Sequence, residues 1–253
     1  MINMMRAELY RLTKSRGFWF FWIISIGSMM LSVAFHEAGG VSLGAPLQYD
    51  DDVKMDITQL AMNFTYYFLL IIPVYSIIAV EFNEHTIKNT ISSAISRKMY
   101  FVSKFLFSLV YSLGSYVISC YLFYFVNKAV NGSKYSSSVG DFSKALFRQL
   151  PAFAAIVSVF ILIAFLVKKG AALNAVSIIT PIAYTSIALV MYGIKSTKTV
   201  AEHLLKAEIS TVLSKLALGC SDSYLAKSYI AFAVMLTASA LLGYLVFTKR
   251  ELE

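Results

Sequence analysis

The side chains that most often carry hydrolytic chemistry are scattered through this sequence. Its three histidines, His36, His85 and His203, lie far apart, and none belongs to an HExxH pattern. A zinc protease uses that pattern to place two imidazoles and a glutamate on one helix face. No histidine lies inside an apolar segment, so a serine nucleophile at membrane depth would have no base beside it. The sequence therefore disfavours intramembrane hydrolysis.

An acidic run, Asp50, Asp51 and Asp52 with Asp56 nearby, is the densest group of possible cation ligands. Calcium loops alternate oxygen ligands around a turn glycine, and this run lacks that alternation. We interpret it as a solvated outer loop. The chain also contains no GxxxxGK[ST] loop for phosphate. Uphill work would therefore need energy from another polypeptide.

These residues belong to a strongly apolar chain. Of its 253 residues, 58% are hydrophobic and 14% are charged, and the mean hydropathy is +0.68. Soluble proteins average roughly 25% charged residues. Charge-free windows of about 20 residues, enough to cross a bilayer, predict transmembrane helices. They cover about 17–35, 57–80, 105–127, 149–167, 170–194 and 228–248. The expected fold is an all-α integral membrane protein with six transmembrane helices in a single domain, 1–253.

None of these windows contains Asp, Glu, Lys or Arg. Carriers driven by protons or sodium ions normally keep a titratable or charged group at membrane depth. The windows therefore disfavour an ion-coupled carrier, although a sodium site built from backbone and hydroxyl oxygens stays open.

Lysine and arginine predict the side of the membrane on which each connecting segment lies. They are denser in 1–16, 81–104, 168–169 and 249–253 than in 36–56, 128–148 and 195–227. The denser side is expected to be cytoplasmic, which places both termini there. The formal net charge of +8 then reflects topology and lipid headgroups, and it requires no nucleic acid partner.

Two segments outside the windows have amphipathic patterns. Residues 1–16 carry an apolar stripe of Ile2, Met5, Leu9 and Leu12. Residues 199–226 carry another, formed by Leu205, Ile209, Val212, Leu213 and Leu216. The first predicts a helix lying along the inner leaflet, with a plain charged flank as the alternative. The second predicts short helices resting on or dipping into the outer interface, with a spacer as the alternative.

A polar ribbon, 81–98, separates two of the apolar windows. Within it, Ile87, Ile91 and Ile95 share one face of a short helix at about 84–97. Isolated helices of this length are marginal in water, so the ribbon needs a surface to dock against. Insertion into a groove of a soluble partner and a membrane-surface loop that nothing binds are both open from these residues alone.

The ribbon also carries a longer pattern, E-x-x-E-x-T-I-K-x-x-I-x-x-x-I-S-R-x-x-Y-x-x-S-K, from Glu81 to Lys104. Together with the order of the spans, it resembles the permease subunits of type-2 ABC exporters. The resemblance implies that the ribbon is a cytoplasmic coupling helix and that 1–16 is an elbow helix. The implied partner-binding residues are Glu81, Glu84, Thr86, Ile87, Lys88, Ile91, Ile95, Ser96 and Arg97. Glu81 is expected either to pair with Lys88 or a second permease's basic loop, or to be solvated.

The same resemblance implies the partners of the chain. Two separate ABC ATPase subunits would dock under the coupling helices, and a second permease copy or a sister chain would complete the pathway. ATP and Mg²⁺ would bind the ATPase, so this chain is expected to carry no cofactor and to be no enzyme itself. The implied location is the bacterial cytoplasmic membrane, crossed several times, with both termini cytoplasmic.

Spans two and five of similar proteins face the interface between permeases, which implies a substrate path. Its candidate residues are Asn63, Thr65, Tyr66, Tyr67, Asn174, Ser177, Thr180 and Tyr184. The alternative is that these groups bond one packed helix to another. Aromatic residues make up 15% of the chain, and an uncharged path of this kind suits amphipathic substrates. The small chain resembles exporters of antimicrobial or cytolytic peptides and their immunity systems. Hydrophobic drugs, lipid-linked glycans and a non-transport scaffold or sensor are the alternatives.

Overall fold

The computed structural model describes residues 2–43, 53–84, 86–87, 91 and 96–249. The helices in chain order are α1 (Ile2–Lys14), α2 (Arg16–Phe35), α3 (Met55–Ala61), α4 (Thr65–Asn83), α5 (Arg97–Asn131), α6 (Val139–Val167), α7 (Gly170–Gly193), α8 (Lys198–Ala207), α9 (Ile209–Leu218) and α10 (Asp222–Lys249). Six of them, α2, α4, α5, α6, α7 and α10, are long and apolar enough to cross a membrane. The predicted all-α membrane fold with six spans is confirmed.

Capping side chains set several helix boundaries. The hydroxyls of Ser15, Ser96 and Ser138 accept hydrogen bonds from backbone N–H groups in the first turns of α2, α5 and α6, at 3.1–3.2 Å. Such serines satisfy N–H groups that have no partner inside the helix. Because the caps lie outside the apolar windows, α5 and α6 begin eight and ten residues before the predicted starts at 105 and 149.

The predicted second span, 57–80, is wrong at its start. Residues 57–61 belong to the separate helix α3, and the chain turns at 62–64 before α4 begins at Thr65. Close to its other end, α4 contains a π-helical turn, Tyr75–Ala79. Single π-helical turns inside α-helices often mark functional positions, because they change which carbonyl groups are free.

The long helix α6 lies at the centre of the bundle and packs against α5, α7 and α10. One end of the bundle, which we call the basic end, holds α1, the end of α4, the starts of α5 and α7, and Lys249. Packed aromatic rings fill the core there, with Phe101, Phe165 and Phe247 in mutual contact. The opposite end holds α3, α8 and α9. Here Leu213 and Leu216 of α9 are fully buried, so this helix is part of the bundle.

Asp56 is buried, which overturns its interpretation as a solvated loop residue. It begins α3, and its Oδ2 accepts hydrogen bonds from the backbone N–H and the hydroxyl of Ser137 at 2.8 and 2.7 Å. The carboxylate thereby fastens α3 to the loop before α6. Burial raises the pKa of Asp56, and the bonds from Ser137 offset part of that rise. Asp50, Asp51 and Asp52 lie outside the described residues.

The raised pKa of Asp56 predicts a pH dependence. A carboxyl group whose folded pKa lies above its unfolded value favours folding below the unfolded value, about 3.9, and loses that contribution as pH rises through the folded pKa. Between pH 4 and pH 7, the wild-type protein should therefore lose thermal stability relative to an Asp56→Asn variant. Unfolding temperatures of both proteins in detergent, measured across this range, test the point. Parallel profiles would contradict it.

Candidate functional site

Four charged side chains meet in the interior at the basic end. Glu8 and Arg11 come from α1, Glu81 from α4 and Lys104 from α5. The Lys104 ammonium lies 2.7 Å from a carboxylate oxygen of Glu8 and 2.7 Å from one of Glu81. The Arg11 guanidinium lies 2.8 Å from the second oxygen of Glu8, and it also pairs with Glu81. Acids and bases therefore alternate in a closed ring, which we call the charge ring.

Neutral groups complete the charge ring. The hydroxyl of Tyr100 donates to the second carboxylate oxygen of Glu81. The backbone carbonyl of Ile77 accepts from both Arg11 and Lys104, at 2.9 and 3.1 Å. Ile77 lies within the π-helical turn of α4. The π-helical turn therefore supplies a carbonyl oxygen that accepts from both Arg11 and Lys104. The carboxylates alone would leave some N–H groups of these two side chains without an acceptor.

Glu8, Glu81 and Lys104 are shielded from solvent, the Arg11 side chain is 38% exposed, and the four charges balance. Lys104 is 0% exposed and Glu81 is 4% exposed. Removing ionised groups from water costs several kcal/mol each, so buried charges persist only when paired and hydrogen-bonded. The expectation of a solvated Glu81 is thus wrong. The structure pairs it with Arg11 and Lys104, while Lys88, its expected partner, lies outside the described residues.

The ring also corrects the inference that the spans lack ionisable residues. The apolar windows stop at 80 and resume at 105, but the helices continue further, so α4 includes Glu81 and α5 includes Lys104. Both lie at the ends of their helices on the basic side. Because they neutralise one another, they form a structural pair within the bundle and add no isolated charge along the apolar length of the spans.

Segment 84–96 connects the end of α4, two residues after Glu81, to the start of α5, three residues before Tyr100. Among its predicted contact residues, Glu84 and Ser96 are exposed, and Thr86, Ile91 and Arg97 are partly exposed. Ile87 is only 4% exposed and packs inside the chain, as Glu81 does. Lys88 and Ile95 lie outside the described residues. Of the described apolar residues of the segment, Ile91 is therefore the one available to a partner.

The predicted path residues 63–67 bond to other parts of the chain, in most cases to a neighbouring helix. Asn63 donates to the hydroxyl of Tyr116 at 3.2 Å, and the Tyr66 hydroxyl lies 2.6 Å from that of Ser25. Tyr67 donates to the carbonyl of Ser177 at 3.0 Å. Thr65 accepts from the N–H of Val41 at 2.9 Å. These contacts match the alternative of bonds between packed helices.

The predicted path residues of α7 are distributed around that helix. Ser177 is buried, and its hydroxyl has no partner among the described residues. Thr180 is exposed and bonds to its own helix. Tyr184 donates to the carbonyl of Leu204 in α8 at 3.0 Å. Asn174 lines a cavity at the basic end.

Two cavities contain four of the eight predicted path residues. Asn63, Thr65 and Tyr66 line a cavity of about 380 Å³ at the opposite end, together with Gln59. Asn174 belongs to a different cavity of about 550 Å³ at the basic end.

Gln149 forms a polar junction that the sequence reasoning missed. It is fully buried in α6, accepts from Tyr116 at 2.8 Å, and donates to the carbonyls of Leu60 and Leu213 at 2.9 Å each. It thereby joins α3, α5, α6 and α9. Its presence at the edge of an apolar window was the available signal. Glu8 was missed as well, since only the apolar residues of 1–16 were interpreted.

No group of three or more His, Cys, Asp or Glu residues in the described ranges is placed to hold a metal ion. A family model described as "ABC-2 family transporter protein" matches residues 4–188. This interval contains every member of the charge ring and the segment 84–96. Comparison with curated proteins and with solved structures gives no match.

Proposed function

The chain belongs to the ABC-2 transporter family, and from this premise we propose that segment 84–96 is the surface on which a separate ATPase docks. Membership makes the chain a membrane-spanning permease, a transport subunit whose family works with ABC ATPases on other chains. The proposal concerns how this particular chain receives the work of ATP hydrolysis.

The observation that carries the proposal is the position of the charge ring. Glu81 precedes the segment and Tyr100 follows it, and a hydrogen bond joins the two side chains. Any displacement of the segment by a partner acts on α4 and α5 together through this bond, and on α1 through Arg11. A segment held at both ends by buried ion pairs is suited to pass on a displacement. A free surface loop would absorb it.

We propose that the transported compounds are amphipathic, with peptides such as antimicrobial or cytolytic peptides as the first class to test. The uncharged hydroxyl, amide and aromatic groups on α4 and α7 support this proposal, because they offer hydrogen bonds beside apolar surface. Hydrophobic drugs and lipid-linked glycans have the same mixed character. Asn63, Thr65 and Tyr66 line one cavity and Asn174 lines another, and we propose that a second permease, identical or a sister chain, completes a path between them.

In this proposal the basic end faces the cytoplasm of a bacterial cell, because lysine and arginine are denser there. ATP binding would close the ATPase dimer, displace the docked segments and shift the permease pair between inward-open and outward-open states. ATP and Mg²⁺ would stay on the ATPase chains.

Replacing Ile91 with Asp tests the docking surface. Burying a carboxylate in an apolar groove is costly, so the affinity for the ATPase should fall at least about tenfold, equivalent to about 1.4 kcal/mol. The measurement is recovery of ATPase protein and activity with the permease after gentle detergent extraction. Val139→Asp serves as the control, because Val139 is 45% exposed and begins α6 at the opposite end.

Normal recovery with the Ile91→Asp variant would contradict the docking assignment. If the wild-type protein itself retains no ATPase in several mild detergents, a scaffold or sensor role replaces transport. Elution of both variants at the wild-type volume in size-exclusion chromatography confirms that the membrane fold is intact.

A further inference from the structure

A cavity of about 550 Å³ lies at the basic end between α2, α4 and α7, apart from the charge ring. It is lined by Ser15, Arg16, Gly17, Phe20, Ile72, Tyr75, Ser76, Val80 and Asn174. Polar and cationic groups lie where α2 begins, and apolar side chains extend from there along the helices. The cavity thus has the two-part character of an amphiphile.

The polar part of the cavity is suited to an anion. Arg16 is exposed and has no ion pair with any described residue. It begins the 20-residue helix α2, and the Ser15 hydroxyl accepts from the N–H of Phe18 at 3.2 Å. The N–H groups of Arg16 and Gly17 precede that capped position and have no acceptor within the helix. A guanidinium and the positive end of a helix dipole therefore coincide.

A buried hydroxyl supports the same assignment independently. Ser76 is 8% exposed, lines the cavity, and makes no hydrogen bond to any described residue. Its oxygen is not one of the fully buried atoms that lack a partner, so the hydroxyl faces the cavity, where it is free to bond to a ligand or to water. A side chain at Gly17 would collide with the Ser76 oxygen. Glycine at this position therefore keeps the hydroxyl and the start of α2 close together.

The remaining walls and surroundings indicate a lipid. Phe20, Ile72 and Val80 provide apolar walls, and Phe20 is 57% exposed beside the lipid-facing side chains of Trp19 and Ile23. Tryptophan near the end of a span is typical of the headgroup level of a bilayer. The cavity therefore opens sideways onto the membrane at the depth where lipid phosphates lie.

We propose that this cavity binds one anionic phospholipid of the leaflet at the basic end. Arg16, the first N–H groups of α2 and the Ser76 hydroxyl hold the phosphate, and an acyl chain lies against Phe20 and Ile72. The proposal is independent of the ATPase-docking proposal, because it requires neither nucleotide nor partner protein. It competes with the proposed substrate path for this cavity, since Asn174 belongs to both.

Native mass spectrometry of the purified full-length chain in detergent tests the site. The probes are palmitoyl-oleoyl phosphatidylglycerol and the matching phosphatidylcholine, added at equal concentration. The wild-type protein should retain phosphatidylglycerol at least about tenfold better. Arg16→Gln should abolish this preference and Ser76→Ala should weaken it, whereas Arg6→Gln, which removes an exposed arginine of the same end, should retain it.

Equal retention of the two lipids by the wild-type protein, or loss of preference in Arg6→Gln as much as in Arg16→Gln, would overturn the proposal. Competition by glycerol 3-phosphate as strong as that of the whole lipid would overturn the acyl-chain contact. Efficient cross-linking of Phe20→Cys between two chains, with no lipid retained, would assign the cavity to a second copy. Displacement of the lipid by an acidic amphipathic peptide at stoichiometric concentration would assign it to transported substrate.

Discussion

Replacing Lys104 with Met is expected to lower the free energy of unfolding by about 3–5 kcal/mol, the usual cost of removing one partner from a buried ion pair. Without the ammonium, the carboxylates of Glu8 and Glu81 have only Arg11 to balance them. Equilibrium unfolding in mixed micelles measures the change. Lys98→Met is the matched control, because Lys98 is exposed at the same end.

A second substitution distinguishes loss of charge balance from loss of packing. In the double variant Lys104→Met with Glu8→Gln, one acid and one base remain, and Arg11 still pairs with Glu81. Part of the lost stability should return, which gives a favourable coupling energy of about 0.5–3 kcal/mol in a double-mutant cycle. Additive losses, or a Lys104→Met variant as stable as the Lys98→Met control, would contradict the charge ring as a stabilising unit.

The Gln149→Leu substitution is expected to cost about 1–3 kcal/mol and to loosen the opposite end selectively. The buried Tyr116 hydroxyl loses its acceptor, and the carbonyls of Leu60 and Leu213 lose their side-chain donor, although Leu60 still accepts from the N–H of Asn63. Hydrogen exchange followed by mass spectrometry should show faster exchange in α9. Exchange in α1 should stay unchanged.

Phe147→Leu is the control for this second substitution, since Phe147 is 51% exposed on the same helix. Uniformly faster exchange throughout the bundle would mean that Gln149 supports global stability and has no specific role at α9. Unchanged exchange in α9 would mean that Ser214, which donates to the carbonyl of Ala61 at 2.6 Å, holds this helix without Gln149.

The spans were predictable because membrane crossing demands long apolar segments, and such segments are visible in one dimension. The residues at which the helices begin were less predictable. Ser96 and Ser138 start helices in polar sequence, where hydropathy contains no information about capping. The turn at 62–64 was missed because its residues, Met62, Asn63 and Phe64, include no charge, glycine or proline to mark it.

The charge ring was beyond sequence reasoning for a different reason. Arg11 and Glu81 are 70 residues apart, and Glu8 and Lys104 are 96 apart. Helical spacing relates residues three or four apart, so it cannot pair such distant charges. The ribbon 84–96 was identifiable because it interrupts apolar sequence. The directions in which the side chains of Asn63 and Tyr66 point were not identifiable from the sequence. The type of a polar residue does not determine whether it points to a path or to a neighbouring helix.

The positions of the charge-ring residues in the sequence also determine when the helices that carry them can pack together during biosynthesis. Glu8 precedes Lys104 by 96 residues, so synthesis at about 5–20 residues per second separates their emergence from the ribosome by roughly 5–20 s. During this interval Glu8 and Arg11 have each other within α1, but Glu8 lacks its second partner, Lys104. The charge ring therefore closes only when α5 enters the membrane, so the first helix to be made gains its full set of contacts late.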